Sequence, residues 1–78
     1  MKTVYKFIEF QIGPTTTCGK PNWHIYTTSR GHEEIGFVLW NWRFESWELT
    51  TRETASFDKT CLADVIDFIK QLEAFPLN

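Results

Sequence analysis

Cysteine is scarce in this chain of 78 residues, which contains two, Cys18 and Cys61. Small secreted domains that cannot build a sufficient core carry several cysteines in a disulfide framework. The sequence predicts no such framework and favours a reducing compartment. One disulfide between Cys18 and Cys61 is the alternative that the sequence leaves open.

Neither sign of charge dominates. Eight Lys and Arg residues stand against ten Asp and Glu residues, which gives a net charge of −2. A protein that holds a phosphate backbone by counterion release needs a broad positive field, and this chain has none. A protein that imitates DNA would need many more carboxylates. Nucleic acid is therefore disfavoured as a general partner, and so is DNA mimicry.

Long hydrophobic runs are also absent. The apolar stretch from Val4 to Ile12 is interrupted by Lys6 and Glu9, so it lacks the continuous apolar segment of a secretory signal. No stretch approaches the ~20 apolar residues that cross a bilayer. We therefore expect a cytoplasmic protein without a membrane partner.

Aromatic residues are abundant by contrast. They make up 17% of the chain, and apolar residues together make up 42%, which is enough to form a packed core. A chain of this length has room for one such core. The sequence predicts a single domain covering residues 1–78.

Runs rich in β-branched and aromatic residues predict four strands, of which the second and fourth alternate between two faces and the third is the most apolar. Their expected ranges are Thr3–Ile12, Asn22–Thr28, Ile35–Trp40 and Trp47–Thr51. Gly13 and Pro14 should end the first strand, and Gly31 should supply a positive φ in the turn before the third strand. Gly36 within the third strand indicates a bulge or a close neighbour.

A C-terminal helix should follow the strands, with Asp58 as its N-cap and Pro76 ending it after roughly sixteen residues. Apolar residues at helical spacing predict its buried stripe. The stripe comprises Leu62, Val65, Ile66, Ile69 and Leu72, with Phe68 and Phe75 at its edge.

The expected fold class is α+β, a four-stranded antiparallel β-meander with one C-terminal helix packed on one face (β-β-β-β-α). One helix covers only one face of a sheet. The other face should then carry aromatic side chains such as Tyr26 and some of the strand tryptophans.

Catalytic and metal-binding patterns are weak in this sequence. The segment GPTTTCGK has the wrong spacing for a phosphate-binding loop. Cys18, His24, His32 and Cys61 lack the paired spacing of a zinc site. Asp64 and Asp67 are best explained as solvated helix charges, and Cys61 lies on an apolar helix face where a thiol is inert. We therefore expect no enzyme activity, no metal and no cofactor.

The candidate binding residues form one aromatic group: Trp40, Trp42, Arg43, Phe44 and Trp47. Their side chains either cap the end of the sheet or form an exposed patch with the Trp and Arg composition of a binding hot spot. Such a patch could contact a second copy of the chain, a host protein, or the stacked bases of single-stranded nucleic acid.

About half of the chain, from Ile35 to Leu72, resembles a group of small proteins encoded by bacteriophages and prophages. The shared pattern is a strand ending in Trp, a short aromatic connection, an aromatic strand, and a Phe-Asp signal that runs into a helix. The matching residues are Trp40, Phe44, Trp47, Leu49, Phe57, Asp58, Cys61, Leu62, Asp64, Val65, Phe68, Ile69 and Leu72. The resemblance implies a phage accessory protein acting in the bacterial cytoplasm.

The leading hypothesis is a non-enzymatic phage or prophage protein that binds a bacterial host protein and inhibits a host or antiviral defence process, as anti-CRISPR proteins do. One alternative is a module that binds single-stranded nucleic acid through Trp42, Phe44 and Trp47 with Arg43 and Arg52. Another is a sponge for a small ligand such as a signalling nucleotide, held in a dimer interface. A homodimer is compatible with each hypothesis.

Overall fold

The computed structural model describes residues 1–74, and its strands form one antiparallel sheet with a helix after the last strand. The elements are β1 (Ile8–Thr15), β2 (Pro21–Thr27), β3 (Glu34–Asn41), β4 (Ser46–Thr51) and α1 (Lys59–Ala74). The strands are ordered β1-β2-β3-β4, so each pairs with its neighbour in the sequence. The predicted α+β meander is confirmed. The predictions for Phe75 and Pro76 lie outside the described residues.

The first strand begins later and ends later than the alternation predicted. The backbone N–H of Tyr5 donates to the carbonyl of Ile8 at 2.8 Å, and that of Phe10 donates to the carbonyl of Thr3 at 2.8 Å. The chain thus turns back before β1. Gly13 and Pro14 do not stop β1, because a register irregularity between Ile12 and Thr15 accommodates them.

The core lies between α1 and one face of the sheet, which we call the covered face. The buried residues of this core are Tyr5, Ile8, Phe10, Trp23, Ile25, Val38, Val65, Phe68 and Leu72. The ring of Phe68 stacks on Phe10 at 3.9 Å between centroids and meets Trp23 edge-on at 5.0 Å. Two strands and the helix therefore share one aromatic centre.

The helix is rotated relative to the predicted stripe. Phe68 is fully buried, whereas Leu62 is 41% exposed and Ile66 is 56% exposed. The prediction that Leu62 and Ile66 face the core was wrong, because the large ring of Phe68 fills the centre of the covered face. The N-cap prediction is confirmed, since the Asp58 carboxylate accepts the N–H of Cys61 at 2.8 Å.

The predictions for two glycines had different outcomes. Gly36 lies beside a register shift between β2 and β3, and a Cβ there would come within 2.5 Å of the Thr50 carbonyl oxygen, so both expectations are confirmed. Gly31 does not supply the positive φ in the turn before β3. His32 does so instead, with φ of 42°.

The face of the sheet away from α1, which we call the open face, carries several polar side-chain contacts. His24 donates to Glu34 at 2.5 Å, and Glu34 also pairs with Arg52. His32 contacts Glu9 at 2.6 Å. Tyr26 lies on this face as predicted, but Trp23, Trp40 and Trp47 do not. They lie on the covered face: Trp23 is opposite the buried Val38, Trp40 is two residues after Val38 in β3, and Trp47 is opposite Trp40.

Within residues 1–74 the structure contains no helix that is long and apolar enough to span a membrane.

Candidate functional site

The turn between β3 and β4, which we call the hairpin tip (residues 42–45), carries the most exposed aromatic residues of the candidate group. The strands pair Asn41 with Ser46, so four residues form the connection. The Oδ1 atom of Asn41 accepts the backbone N–H of Arg43 at 2.9 Å and that of Phe44 at 3.4 Å. Glu45 has a positive φ of 50° and returns the chain to β4. The turn is thus held by its own hydrogen bonds.

Two large apolar side chains project from this turn. Trp42 is 68% exposed and Phe44 is 73% exposed. The guanidinium carbon of Arg43 lies 5.5 Å from the centroid of the Trp42 ring, which is within cation–π range. The hairpin tip therefore presents two aromatic side chains and a guanidinium on a structured backbone.

Trp40 and Trp47 occupy a different position and form what we call the Trp pair. They are directly opposite each other in the register of β3 and β4. Their rings meet edge-on at 5.5 Å and both are half-buried, with Trp47 packed against the core. The five candidate residues therefore fall into two groups, one that projects into solvent and one that borders the core.

A cavity of about 240 Å³ adjoins the Trp pair. It lies between the C-terminal half of α1, the residue before β2, the end of β3, the start of β4 and the hairpin tip. Its lining residues are Lys20, Trp40, Glu45, Trp47, Leu72 and Glu73. Glu45 belongs to both the cavity and the hairpin tip, so the two features form one continuous surface.

Lys20 supplies a positive charge at the wall of this cavity. Its ammonium nitrogen lies 4.9 Å from the centroid of the Trp40 ring and 6.0 Å from that of Trp47. The negative faces of aromatic rings attract a cation at these distances. Glu45 and Glu73 line the same cavity.

The residues weighed as zinc ligands do not form a cluster. His24 and His32 are bound to carboxylates of the open face, and Cys18 and Cys61 are both free thiols. Among residues 1–74, no three His, Cys, Asp or Glu side chains are grouped closely enough to hold a metal ion.

The residues weighed as catalytic groups have structural contacts. The hydroxyl of Tyr5 donates to Asp67 at 2.7 Å, and burial together with that carboxylate raises the pKa of Tyr5. Burial and the neighbouring Asp58 carboxylate raise the pKa of the Cys61 thiol. A raised pKa leaves less thiolate, which is the opposite of what a cysteine nucleophile requires.

We compared the chain with protein-family models, curated proteins and solved structures, and no match was found in any of the three. Arguments about function therefore rest on the geometry of the chain itself.

Sequence reasoning missed the charged residues of the cavity. Lys20 lies in the loop before β2, and Glu73 lies outside the predicted apolar stripe of the helix. The antiparallel order of the meander does bring the start of β2 beside the end of β3, which could have placed Lys20 near Trp40. The position of Glu73 depends on the rotation of α1, for which the sequence carries no comparable signal.

Proposed function

We propose that this chain is a non-enzymatic phage or prophage accessory protein that binds a bacterial host protein through the hairpin tip and so inhibits a host or antiviral defence process. The observation that carries the binding part is the exposure of Trp42 and Phe44 on a hydrogen-bonded turn. The phage part rests on the sequence resemblance of residues 35–72.

The energetics favour a contact role for the two aromatic residues. Trp is among the residues most enriched at binding hot spots, where truncation to alanine costs about 2 kcal/mol or more. Because the turn is already fixed by Asn41, little ordering entropy is lost when a partner covers it.

The nucleic-acid alternative is less well supported by the geometry. It requires Trp47 and Arg52 to act with the hairpin tip. Trp47 packs against the core, and Arg52 pairs with Glu34 on the open face. Dimerisation through the open face would have to cover the polar contacts of His24, Glu34 and Glu9, which makes that face a poor apolar interface.

The experiment is affinity capture from a bacterial lysate with tagged protein, nuclease treatment and a high-salt wash. The test variant is Trp42→Ala/Phe44→Ala. The matched control is Leu62→Ala/Ile66→Ala, which removes two other exposed apolar side chains from the helix.

We expect one specific host protein with the wild type and the control, and its loss with the test variant. The purified pair should then show a dissociation constant that rises by about 30-fold or more in the test variant, which corresponds to ~2 kcal/mol. Melting temperatures should be equal, because the substituted side chains are at the surface. Loss of all captured material on nuclease treatment or in the high-salt wash, or equal capture by all three proteins, would refute the proposal.

A further inference from the structure

The two outer edges of the sheet differ in what covers them. At the edge formed by β1, the N-terminal segment of the same chain supplies hydrogen bonds. The N–H of Phe10 donates to the carbonyl of Thr3 at 2.8 Å. The N–H of Tyr5 donates to the carbonyl of Ile8, also at 2.8 Å. At the outer edge of β4, which we call the β4 edge, no segment of residues 1–74 pairs with the strand.

The direction of each backbone group of β4 follows from its pairing with β3. The N–H of Arg52 donates to the carbonyl of Ile35 at 3.0 Å, and hydrogen-bonded pairs alternate along an antiparallel ladder. The carbonyl oxygen of Thr50 agrees with this alternation, since it approaches within 2.5 Å of where a Cβ on Gly36 would lie. The residues whose N–H and carbonyl groups point away from β3 are therefore Trp47, Leu49 and Thr51.

The β4 edge lacks the features by which edge strands avoid pairing. Such strands commonly carry Pro, Lys or a bulge. The strand SWELTT has neither Pro nor Lys, and its register with β3 is regular from Ser46 to Thr51. Its Trp and Thr residues favour extended backbone. A regular strand with outward N–H and carbonyl groups is a template for a further strand.

The sequence of β4 is self-complementary in one antiparallel register. When Leu49 is opposite Leu49 of a second copy, Trp47 of each chain is opposite Thr51 of the other. All three outward residues then form hydrogen-bonded pairs, which exchange about six main-chain hydrogen bonds in total. A register shifted in one direction places the two Glu48 side chains opposite each other, and a shift in the other direction carries Trp47 past the end of the partner strand.

Charge also favours the register centred on Leu49. Glu48 is the single charged residue of β4, and in this register it lies opposite Thr50 of the second copy rather than opposite another carboxylate. Arg52 shares the face of Glu48 and lies diagonal to Glu48 of the second copy. Opposite charges at diagonal positions attract, whereas like charges directly opposite each other destabilise a strand pair.

We propose that the chain forms a two-fold symmetric dimer by antiparallel pairing of β4 with β4 of a second copy, centred on Leu49. The product is one sheet of eight strands, four from each copy. A single strand pair is shorter than a standard interface, so the dimer forms in a reversible, concentration-dependent equilibrium. The proposal goes beyond the proposed function and does not depend on the host protein.

The first measurement is sedimentation equilibrium of the full chain over a range of concentrations. We expect the apparent mass to rise from 9.2 kDa toward twice that value. Thr51→Pro should weaken dimerisation by about 10-fold or more, because proline removes one outward N–H from each copy without removing a bond to β3. The matched control is Thr51→Val, which keeps the N–H and the β-branched shape and should dimerise as the wild type does.

Two substitutions at Thr50 test the register. The Thr50 side chain is exposed, so both variants should fold. Thr50→Glu places a carboxylate opposite Glu48 of the second copy and should weaken dimerisation by about 2–30-fold, since the pair occurs twice. Thr50→Lys should strengthen dimerisation by a similar factor. Equal effects of the two variants would overturn the register, and this comparison decides the matter even if circular dichroism shows that Thr51→Pro does not fold.

Amide hydrogen exchange of the wild type locates the interface. We expect the outward N–H groups of Trp47, Leu49 and Thr51 to exchange more slowly at high protein concentration than at low concentration. The N–H groups of Glu48 and Thr50 should exchange equally at both concentrations, because they already bond to β3.

Three results would overturn the proposal. The first is a monomer at every concentration, and the second is a dimer that Thr51→Pro and Thr50→Glu leave unchanged. The third is protection of the outward amides only in the complex with the host protein, which would assign the β4 edge to a strand of that protein. Trp42→Ala/Phe44→Ala should dimerise as the wild type does, so loss of the host protein and loss of the dimer are distinguishable.

Discussion

Phe68 is the residue on which the packing of the helix depends most. Its side chain has no exposed surface, and its ring contacts Phe10 face to face and Trp23 edge-on. We choose Phe68→Leu as the perturbation, because leucine keeps an apolar side chain in the core but removes both ring contacts.

The expected loss can be worked out from these contacts. An aromatic pair contributes about 0.5–1.5 kcal/mol beyond the area that it buries, and Phe68 makes two such pairs. Some unfilled volume adds to this, so we expect a loss of about 2–3 kcal/mol in the free energy of unfolding. A domain of this size is stable by about 4–12 kcal/mol, so the variant should still fold.

The assay is urea denaturation followed by far-ultraviolet circular dichroism. With a slope of ~1 kcal/mol per molar urea, the midpoint should fall by about 2–3 M. The control is Ile66→Ala on the exposed side of the same helix, which we expect to change stability by ~0.5 kcal/mol or less. A large loss for Ile66→Ala together with a small loss for Phe68→Leu would show that the helix is rotated as the sequence periodicity predicted, and would refute this packing.

Two further predictions concern the close approach of β4 to Gly36 and the N-cap of α1. Gly36→Ala should lower stability by about 1–3 kcal/mol, because the new Cβ would clash with a backbone carbonyl of β4, whereas Gly31→Ala meets no atom within 4 Å and should be neutral in the same urea assay. The N–H of Cys61 lowers the pKa of Asp58 in the folded state, so the cap stabilises the fold above the unfolded pKa and is lost as pH falls through the folded pKa. Asp58→Ala should therefore lower the melting temperature more at neutral pH than at about pH 2, whereas Asp58→Asn should lower it less than alanine does at neutral pH. Equal pH profiles for wild type and Asp58→Ala would contradict this assignment.

The order of elements was predictable because runs rich in β-branched and aromatic residues are separated by short connections. The start of β1 was not, because Val4 shares the parity of Ile8, Phe10 and Ile12, and only Lys6 departs from that pattern where the chain turns. That turn is stabilised from a distance: the Tyr5 hydroxyl bonds Asp67 and Gln71 on α1. A local pattern carries no information about such contacts.

The candidate site was predictable in composition but not in arrangement. Parity along β3 puts Trp40 and Trp42 on one side, yet Trp42 lies beyond the end of the strand, where the alternation no longer holds. Trp40 instead meets Trp47 through the hairpin register. On the helix, Ile66 and Phe68 both fit an apolar stripe, and only packing against Phe10 selects Phe68.

The position of α1 at the end of the described chain bears on how the protein is made. Synthesis proceeds from the N-terminus, so the four strands leave the ribosome before the helix that covers them. Until Val65, Phe68 and Leu72 follow, the meander has nothing to place against Trp23 and Ile25. A nascent chain interrupted after β4 would therefore expose the sheet's apolar face, and such intermediates are substrates for chaperones or for aggregation.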